Sequence, residues 1–230
     1  ALHKNPGGYK EPRSLVGGLG VSPGLSSFPL PASGRGSKGD RSHMRIAVIS
    51  DTHELGAGWG SPPELLDALR GADLVLHCGD LEVLGILDHL ETVAPVLAVR
   101  GYPDPHEPGE RLADRTRVVQ VEGLRIGMVH DIGWPGPRVQ FAARTNDLVF
   151  PTGSVQELME RKFGQPVDMV CFGDTHVEYV GWHQNVLFVN PGSTSSPATL
   201  TSPAQFGTLA YLNISKGVVS TEIRTLHRNT

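Results

Sequence analysis

The sequence predicts an α/β fold in which two mixed β-sheets stack face to face with helices on the outside, and three observations point there. From Met44 onward, short apolar runs alternate with stretches of helical period, and strand–helix–strand–helix–strand requires right-handed crossovers and a largely parallel sheet. Beyond residue 117 the rhythm shifts to apolar runs separated by tight turns, as in hairpins. No apolar run approaches the ~18 residues needed to cross a bilayer, which excludes a membrane-spanning chain.

Each element follows from its local pattern. Residues 45–50, RIAVIS, form a short apolar run ending in a polar cluster, the signature of a strand buried on both faces. Pro62 and Pro63 open a helix with Leu65, Leu66 and Leu69 on one face, since a missing N–H costs nothing in a first turn, and Gly71 ends it. A buried strand over 74–78, a helix over 81–90 and a strand over 96–99 complete the parallel unit. A hairpin follows over 118–121 and 124–129, turning at Glu122-Gly123. Next come a helix over 155–163 and strands over 169–172, 178–182, 186–189, 207–213 and 218–223, all in one domain, 44–230.

Residues 1–43 stand apart, with nine Gly, five Pro and six basic residues against two acidic ones; this composition suits a disordered arm, a leader or a cloning remnant. A secretory signal is not expected there, because Pro23, Pro29 and several glycines interrupt the apolar residues between Leu15 and Leu30. From Met44 the balance is 14 basic to 22 acidic residues, so the domain lacks the basic footprint of a nucleic-acid binder and such a partner is disfavoured. The two cysteines, Cys78 and Cys171, sit in apolar runs and form no C-x-x-C knuckle, which suits a reducing cytoplasm.

In sheets of this kind ligands bind beyond the carboxyl ends of the strands. Five apolar runs end in chemistry: Asp51-Thr52-His53, Gly79-Asp80, Gly101-Tyr102-Pro103-Asp104, His130-Asp131 and Gly173-Asp174-Thr175-His176. An Asp-x-His pair sets a carboxylate and an imidazole two residues apart, on one side of an extended chain, and it occurs twice. Mixed oxygen and nitrogen donors suit Mn(II), Fe, Zn or Ni better than Ca. From Met44 onward there is neither a G-x-S-x-G elbow nor a glycine-rich loop ahead of a lysine, which argues against serine hydrolases and P-loop enzymes.

In this order the segments D-x-H, G-D, a G-N-x-D-like stretch, an H-G-H-like stretch and a G-H-x-H-like stretch, with Asn190-Pro191-Gly192-Ser193, resemble the calcineurin-like metallophosphoesterases, in particular their short bacterial and archaeal phosphodiesterases. The resemblance implies a four-layer α/β/β/α sandwich and two divalent metal ions bridged by an aspartate and a solvent molecule, hydrolysing a phosphate ester. Carried over by position, it implies Asp51, His53, Asp80 and His176 as ligands of a first metal, with Asp80 the bridge. The second site is altered: Tyr102 stands at the Asn position, His130 and Ile132 at the two histidines of H-G-H, and Asp174 at the first histidine of G-H-x-H. Asp80, His130 and Asp174 are then its expected ligands, and Tyr102 is assigned to stacking or to a substrate hydroxyl because only a phenolate would coordinate.

The expected function is therefore a metal-dependent phosphodiesterase acting on a small or exposed phosphate ester, with Mn(II) the leading metal and Ni, Zn, Fe or Mg as alternatives. Asp80 and His130 are expected at the reacting centre, and His106, in the proline-stiffened Asp104-Pro105-His106-Glu107-Pro108 loop, as a general acid for the leaving alcohol. The rival expectation is a scaffold of this fold that has lost ligands, as the retromer subunit of the same family has. The oligomeric state stays open, a homodimer included.

Overall fold

The computed structural model describes residues 43–53, 62–106, 111–142, 144–198, 201–202 and 204–228. Apart from His43, the basic arm lies outside these residues. The first sheet has six strands. Its centre is β1 (Met44–Ile49), which pairs in parallel with β2 (Leu74–His77). Beyond β2 lie β3 (Val96–Val99) and the two-residue β4 (Leu112–Ala113), both parallel. The second sheet has five strands, built around the hairpin of β5 (Thr116–Val121) and β6 (Leu124–Val129). A short antiparallel pair, β7 (Gln140–Ala142) and β8 (Asp147–Val149), stands apart from both sheets. Next to β6 runs β9 (Met169–Cys171), parallel to it and to β11 (Val186–Pro191), while β10 (Glu178–His183) closes the edge antiparallel to β11. The long strands β12 (Gln205–Ser215) and β13 (Val218–His227) return to the first sheet, β12 antiparallel to β1.

The alternation of side chains along the strands sorts the core into layers. On β1, Ile46 and Val48 face the second sheet and pack with Met128, Cys171 and Val189. Ala47 and Ile49 point the other way, onto α1 (Pro63–Leu69) and α2 (Gly85–Glu91) through Leu65, Leu69, Leu87 and Leu90. Outside the second sheet, α3 (Val155–Phe163) covers Val170, Phe172 and Phe188 with Val155, Leu158, Met159 and Phe163. The result is the expected four layers, helices–sheet–sheet–helix. Ser154 caps α3 by accepting the Glu157 N–H at 3.2 Å, and Gly164 ends it in the left-handed region (φ 73°), which costs glycine nothing. Among the described residues no helix is long and apolar enough to cross a membrane.

Two expectations need correction. The helix expected over 81–90 begins only at Gly85, because the N–H groups of Leu81 and Glu82 are taken by the Asp104 carboxylate, both at 2.7 Å, and Glu82 sits at positive φ. The strands β4, β7 and β8 were not expected; two or three residues are too few for a period to show.

Candidate metal centre

Four of the five strand ends meet in one cluster. Asp51 and His53 follow β1, Asp80 follows β2, and Asp174 and His176 follow β9. All five residues adopt positive φ, between 43° and 69°. Thus each Asp-x-His pair converges through two left-handed residues flanking one ordinary residue, not through the pleat of a strand, which corrects the geometric reason given above. Backbone hydrogen bonds lock the loops together: Asp51 N–H donates to Gly79 O at 3.0 Å and His53 N–H to Asp80 O at 3.1 Å. His130 follows β6, the neighbour of β9 in the second sheet.

Every imidazole of the cluster is held from outside and turned inward. His53 Nδ1 meets Glu82 Oε1 at 2.9 Å, His130 Nδ1 donates to Cys78 O at 2.8 Å, and His176 Nδ1 donates to Ser196 O at 2.7 Å. All three Nε2 atoms therefore face one another's carboxylates: His176 Nε2 is 3.4 Å and His53 Nε2 3.9 Å from Asp51 Oδ1. Asp80 divides its oxygens, Oδ2 lying 3.8 Å from His53 Nε2 and Oδ1 3.1 Å from His130 Nε2. His53 Nε2 and His176 Nε2 are only 3.2 Å apart, a contact that needs a proton or a cation between the two lone pairs. Asp51 Oδ1 and His130 Nε2 are buried with no properly aligned hydrogen-bond partner. Unpartnered buried polar atoms are costly, and outward-held imidazoles around them are what a metal site requires, so this donor set fits divalent ions. One ligand atom each from Asp51, His53 and His176 lies within 4.8 Å of the others, as does one each from Asp51, Asp80 and His130.

The cluster's electrostatics follow from crowding charge into a partly dry site. Burial disfavours charge on His130, but the Asp80 contact and the charge of Asp51 outweigh it and lift the imidazole to about 9. Burial and three neighbouring carboxylates, partly offset by His130, raise Asp174.

The calcineurin-like phosphoesterase superfamily domain model matches residues 44–217, most of the chain. The chain belongs to the calcineurin-like phosphoesterase superfamily. A relative in Methanothermobacter thermautotrophicus, named a probable metallophosphoesterase, is 34% identical over 161 residues, covering 70% of this chain and 83% of that one. An archaeal phosphodiesterase of known structure superposes with a TM-score of 0.51 at 20% identity, over 79% of this chain and all of the other. Vps29 of Entamoeba histolytica, solved with zinc, has a TM-score of 0.51 at 23% identity, over 79% of this chain and 99% of that one. At these identities the two structures speak for the shared fold alone.

As a superfamily member the chain departs from the family pattern where the sequence says it does. Tyr102 does not face the cluster as a ligand: it is 59% exposed and its hydroxyl donates to Asp131 Oδ2 at 2.6 Å. That bond, with burial and the surrounding carboxylates, pushes the phenol up to about 12. Ile132 is buried in the apolar layer under α3. Asp174 Oδ1 lies 3.6 Å from His130 Nε2 but falls outside both close-packed ligand groups. His106 is exposed, and among the described residues no hydrogen bond or ion pair joins it to the cluster.

Several residues that build this phosphoesterase site were not singled out from sequence. Glu82 orients His53, and only its place two residues after Asp80 hinted at that. Ser193 Oγ donates to Asp51 O at 2.7 Å, and Asn190 Nδ2 to Gly173 O at 2.9 Å, so the Asn-Pro-Gly-Ser turn ties the β1 and β9 loops together. His77, on β2, is fully buried and braces the loops from below. Its Nδ1 accepts the Gly79 N–H at 3.1 Å, which leaves Nε2–H to meet Thr52 Oγ1 at 3.1 Å.

Complete burial drives His77 down to about 4, against the pull of Asp104 and Asp51. The unfolded chain therefore takes up a proton that the folded one refuses between pH 6.5 and about 4, and stability falls as pH drops through that window. Urea midpoints at pH 7 and pH 5 check this: His77→Asn should start less stable but lose less between the two values than the unaltered protein. Equal losses would mean that His77 does not titrate as placed.

Proposed function

We propose that this protein is a metal-dependent phosphodiester hydrolase with a dinuclear centre, Asp51, His53, Asp80 and His176 holding one ion and Asp80, His130 and Asp174 the other. The observation that carries the reading is that three imidazoles, each anchored from outside through Nδ1, turn Nε2 inward onto the divided Asp80 carboxylate and the unpartnered Asp51 oxygen. When bound, two ions would lower the pKa of a water held between them and neutralise charge on the phosphate oxygens. The chain's own part is to hold the donors rigid, with Glu82, Cys78 O and Ser196 O fixing the imidazoles and Asp104 fixing the loop under Asp80. Water adds to phosphorus, one P–O ester bond breaks, and an alcohol and a phosphomonoester leave.

Mn(II) is our preferred ion, because a carboxylate at 174 in place of an imidazole adds charge and a harder oxygen. Turnover of bis(p-nitrophenyl) phosphate beside p-nitrophenyl phosphate, scanned over Mn(II), Ni(II), Mg(II) and Zn(II), tests the reading. Hydrolysis of the diester with at least one ion supports it, and inertness with all four rejects it. Inertness would favour the second reading, a scaffold, which rests on the substitutions at Tyr102, Ile132 and Asp174.

Asp174→Ala is expected to leave one tightly held ion and to lower turnover about 10-fold or more, as loss of a ligand does. Asp174→His should retain two ions while moving preference toward Zn(II) or Ni(II). Metal analysis of the three proteins decides, and identical ion content and activity in all of them would remove Asp174 from the ligand set. We keep His106 as the general acid on its place in the loop. His106→Gln should then slow a methyl diester, whose leaving alcohol needs a proton, and spare one that releases p-nitrophenolate.

A further inference from the structure

A cavity of about 600 Å³ opens directly beside the metal centre, with Asp174 and Tyr102 on its inner rim. Its outer wall is the segment 131–139 and the β7–β8 pair, which lie outside the two main sheets. Aromatic groups dominate what it offers: Tyr102 is 59% and Trp134 40% exposed, and Phe141 lines it from β7. Arg115 lies 3.7 Å over the Trp134 ring and covers one of its faces. Arg138 is the cation among the described lining residues, and no hydrogen bond or ion pair to it is seen among the described residues. The wall is braced from behind. Asp131 accepts the Gly133 N–H at 2.6 Å and the Tyr102 hydroxyl at 2.6 Å, and the Lys162 ammonium on α3 donates to Pro135 O.

We infer that this cavity takes the planar base of a nucleotide-class phosphodiester, stacked against Trp134 and Phe141, with the scissile phosphate at the metal centre and Arg138 toward the anionic or sugar part. The inference rests on the phosphodiesterase reading and gives it a substrate class. A volume of this size lies within the range of small-molecule sites and far exceeds what a methyl or glycerol arm would fill. Exposed aromatic faces reward flat rings, because every base has a π-face to stack, and a nearby guanidinium adds to the same contact. The acidic excess of the domain, 22 acidic to 14 basic residues from Met44, sets a single small nucleotide above a long nucleic-acid backbone.

Two esters with one leaving group test it: thymidine 5′-(p-nitrophenyl) phosphate and methyl p-nitrophenyl phosphate, assayed with Mn(II). The thymidine ester should show a kcat/KM about 10- to 100-fold higher, the range that stacking of one base supplies. Trp134→Ala should bring the ratio toward unity, and Phe141→Ala serves if that variant does not fold. Trp182→Ala, on the exposed face of β10, should keep the ratio of the unaltered protein. Equal kcat/KM for the two esters, or a ratio that survives both cavity substitutions, overturns the proposal. If neither ester turns over, the phosphodiesterase reading fails by itself, and the cavity is judged by titrating the protein with thymidine 5′-monophosphate under NMR. A saturable shift of the Trp134 indole N–H, assigned by its loss in Trp134→Ala, upholds the base site, and no shift overturns it.

Discussion

Asp80→Asn is expected to lower phosphodiester turnover by at least about 10²-fold, the several kcal/mol of transition-state stabilisation that a metal-assisted water contributes. The size of the effect follows from position. Asp80 is the residue whose two oxygens are shared out, Oδ1 at 3.1 Å from His130 Nε2 and Oδ2 at 3.8 Å from His53 Nε2. Its backbone is pinned in the left-handed region (φ 56°), and Tyr102 N–H donates to Oδ1 at 2.9 Å. Burial opposes its charge, but His130, that N–H and His53 together hold the carboxyl below its ordinary value. An asparagine there keeps the shape, loses the charge and presents an NH₂ to one of the two imidazole nitrogens, so both groups of ligands weaken at once. His53→Ala or His130→Ala removes one donor from one group and should cost less. Metal content and kcat measured in excess Mn(II) make the comparison: two equivalents in the unaltered protein and at most one in Asp80→Asn. Similar, mild losses in all three variants would show that no residue bridges.

The contrast between Asp80 and its surroundings shows what a sequence can carry. Apolar runs of four to six residues place the central strands correctly, because a strand buried on both faces must be apolar throughout. The polar residues that end those runs, Asp51, His53, Asp80, His130, Asp174 and His176, are legible for the same reason: the fold brings strand ends together. What periodicity does not carry is the local backbone. The Asp-x-His pairs converge through left-handed residues, whose identity in the sequence is not glycine and so gives no warning. Nor does it carry the outer supports. Glu82 and Ser193 lie in loops and Asn190 near the end of β11, where no period marks them, and their partners are up to 142 residues away. Tyr102 is the case where chemistry sufficed: a phenol needs its proton off to ligate, and beside Asp131 it is held on more tightly still.

Asp104→Ala should be the most damaging substitution outside the ligand set, although Asp104 touches none of the proposed ions. Its carboxylate is buried and spends both oxygens on backbone: Oδ1 accepts the N–H groups of Leu81 and Glu82, each at 2.7 Å, and Oδ2 those of Asp80 at 3.0 Å and Gly101 at 2.7 Å. This clamp keeps Leu81 and Glu82 out of the helix that their sequence favours and holds the loop in which Asp80 and Glu82 adopt positive φ. The clamp also presses Gly101 against Asp80, where a Cβ would overlap the carboxylate. Truncation to alanine leaves four N–H groups without their acceptor, and at about 1 kcal/mol or more apiece the domain should lose about 4 kcal/mol, or about 10 °C in Tm. Asp104→Asn does not rescue it, since its NH₂ would have to face two N–H donors. Activity should fall with stability but by a separable route: once residues 80–82 relax toward helix, Asp80 leaves the His53–His130 gap, so metal affinity drops even at temperatures where the variant is fully folded. Calorimetric unfolding and a Mn(II) titration at 15 °C separate the two effects. A Tm within about 2 °C of the unaltered protein, with unchanged Mn(II) affinity, would mean that the loop under Asp80 holds its shape without the clamp.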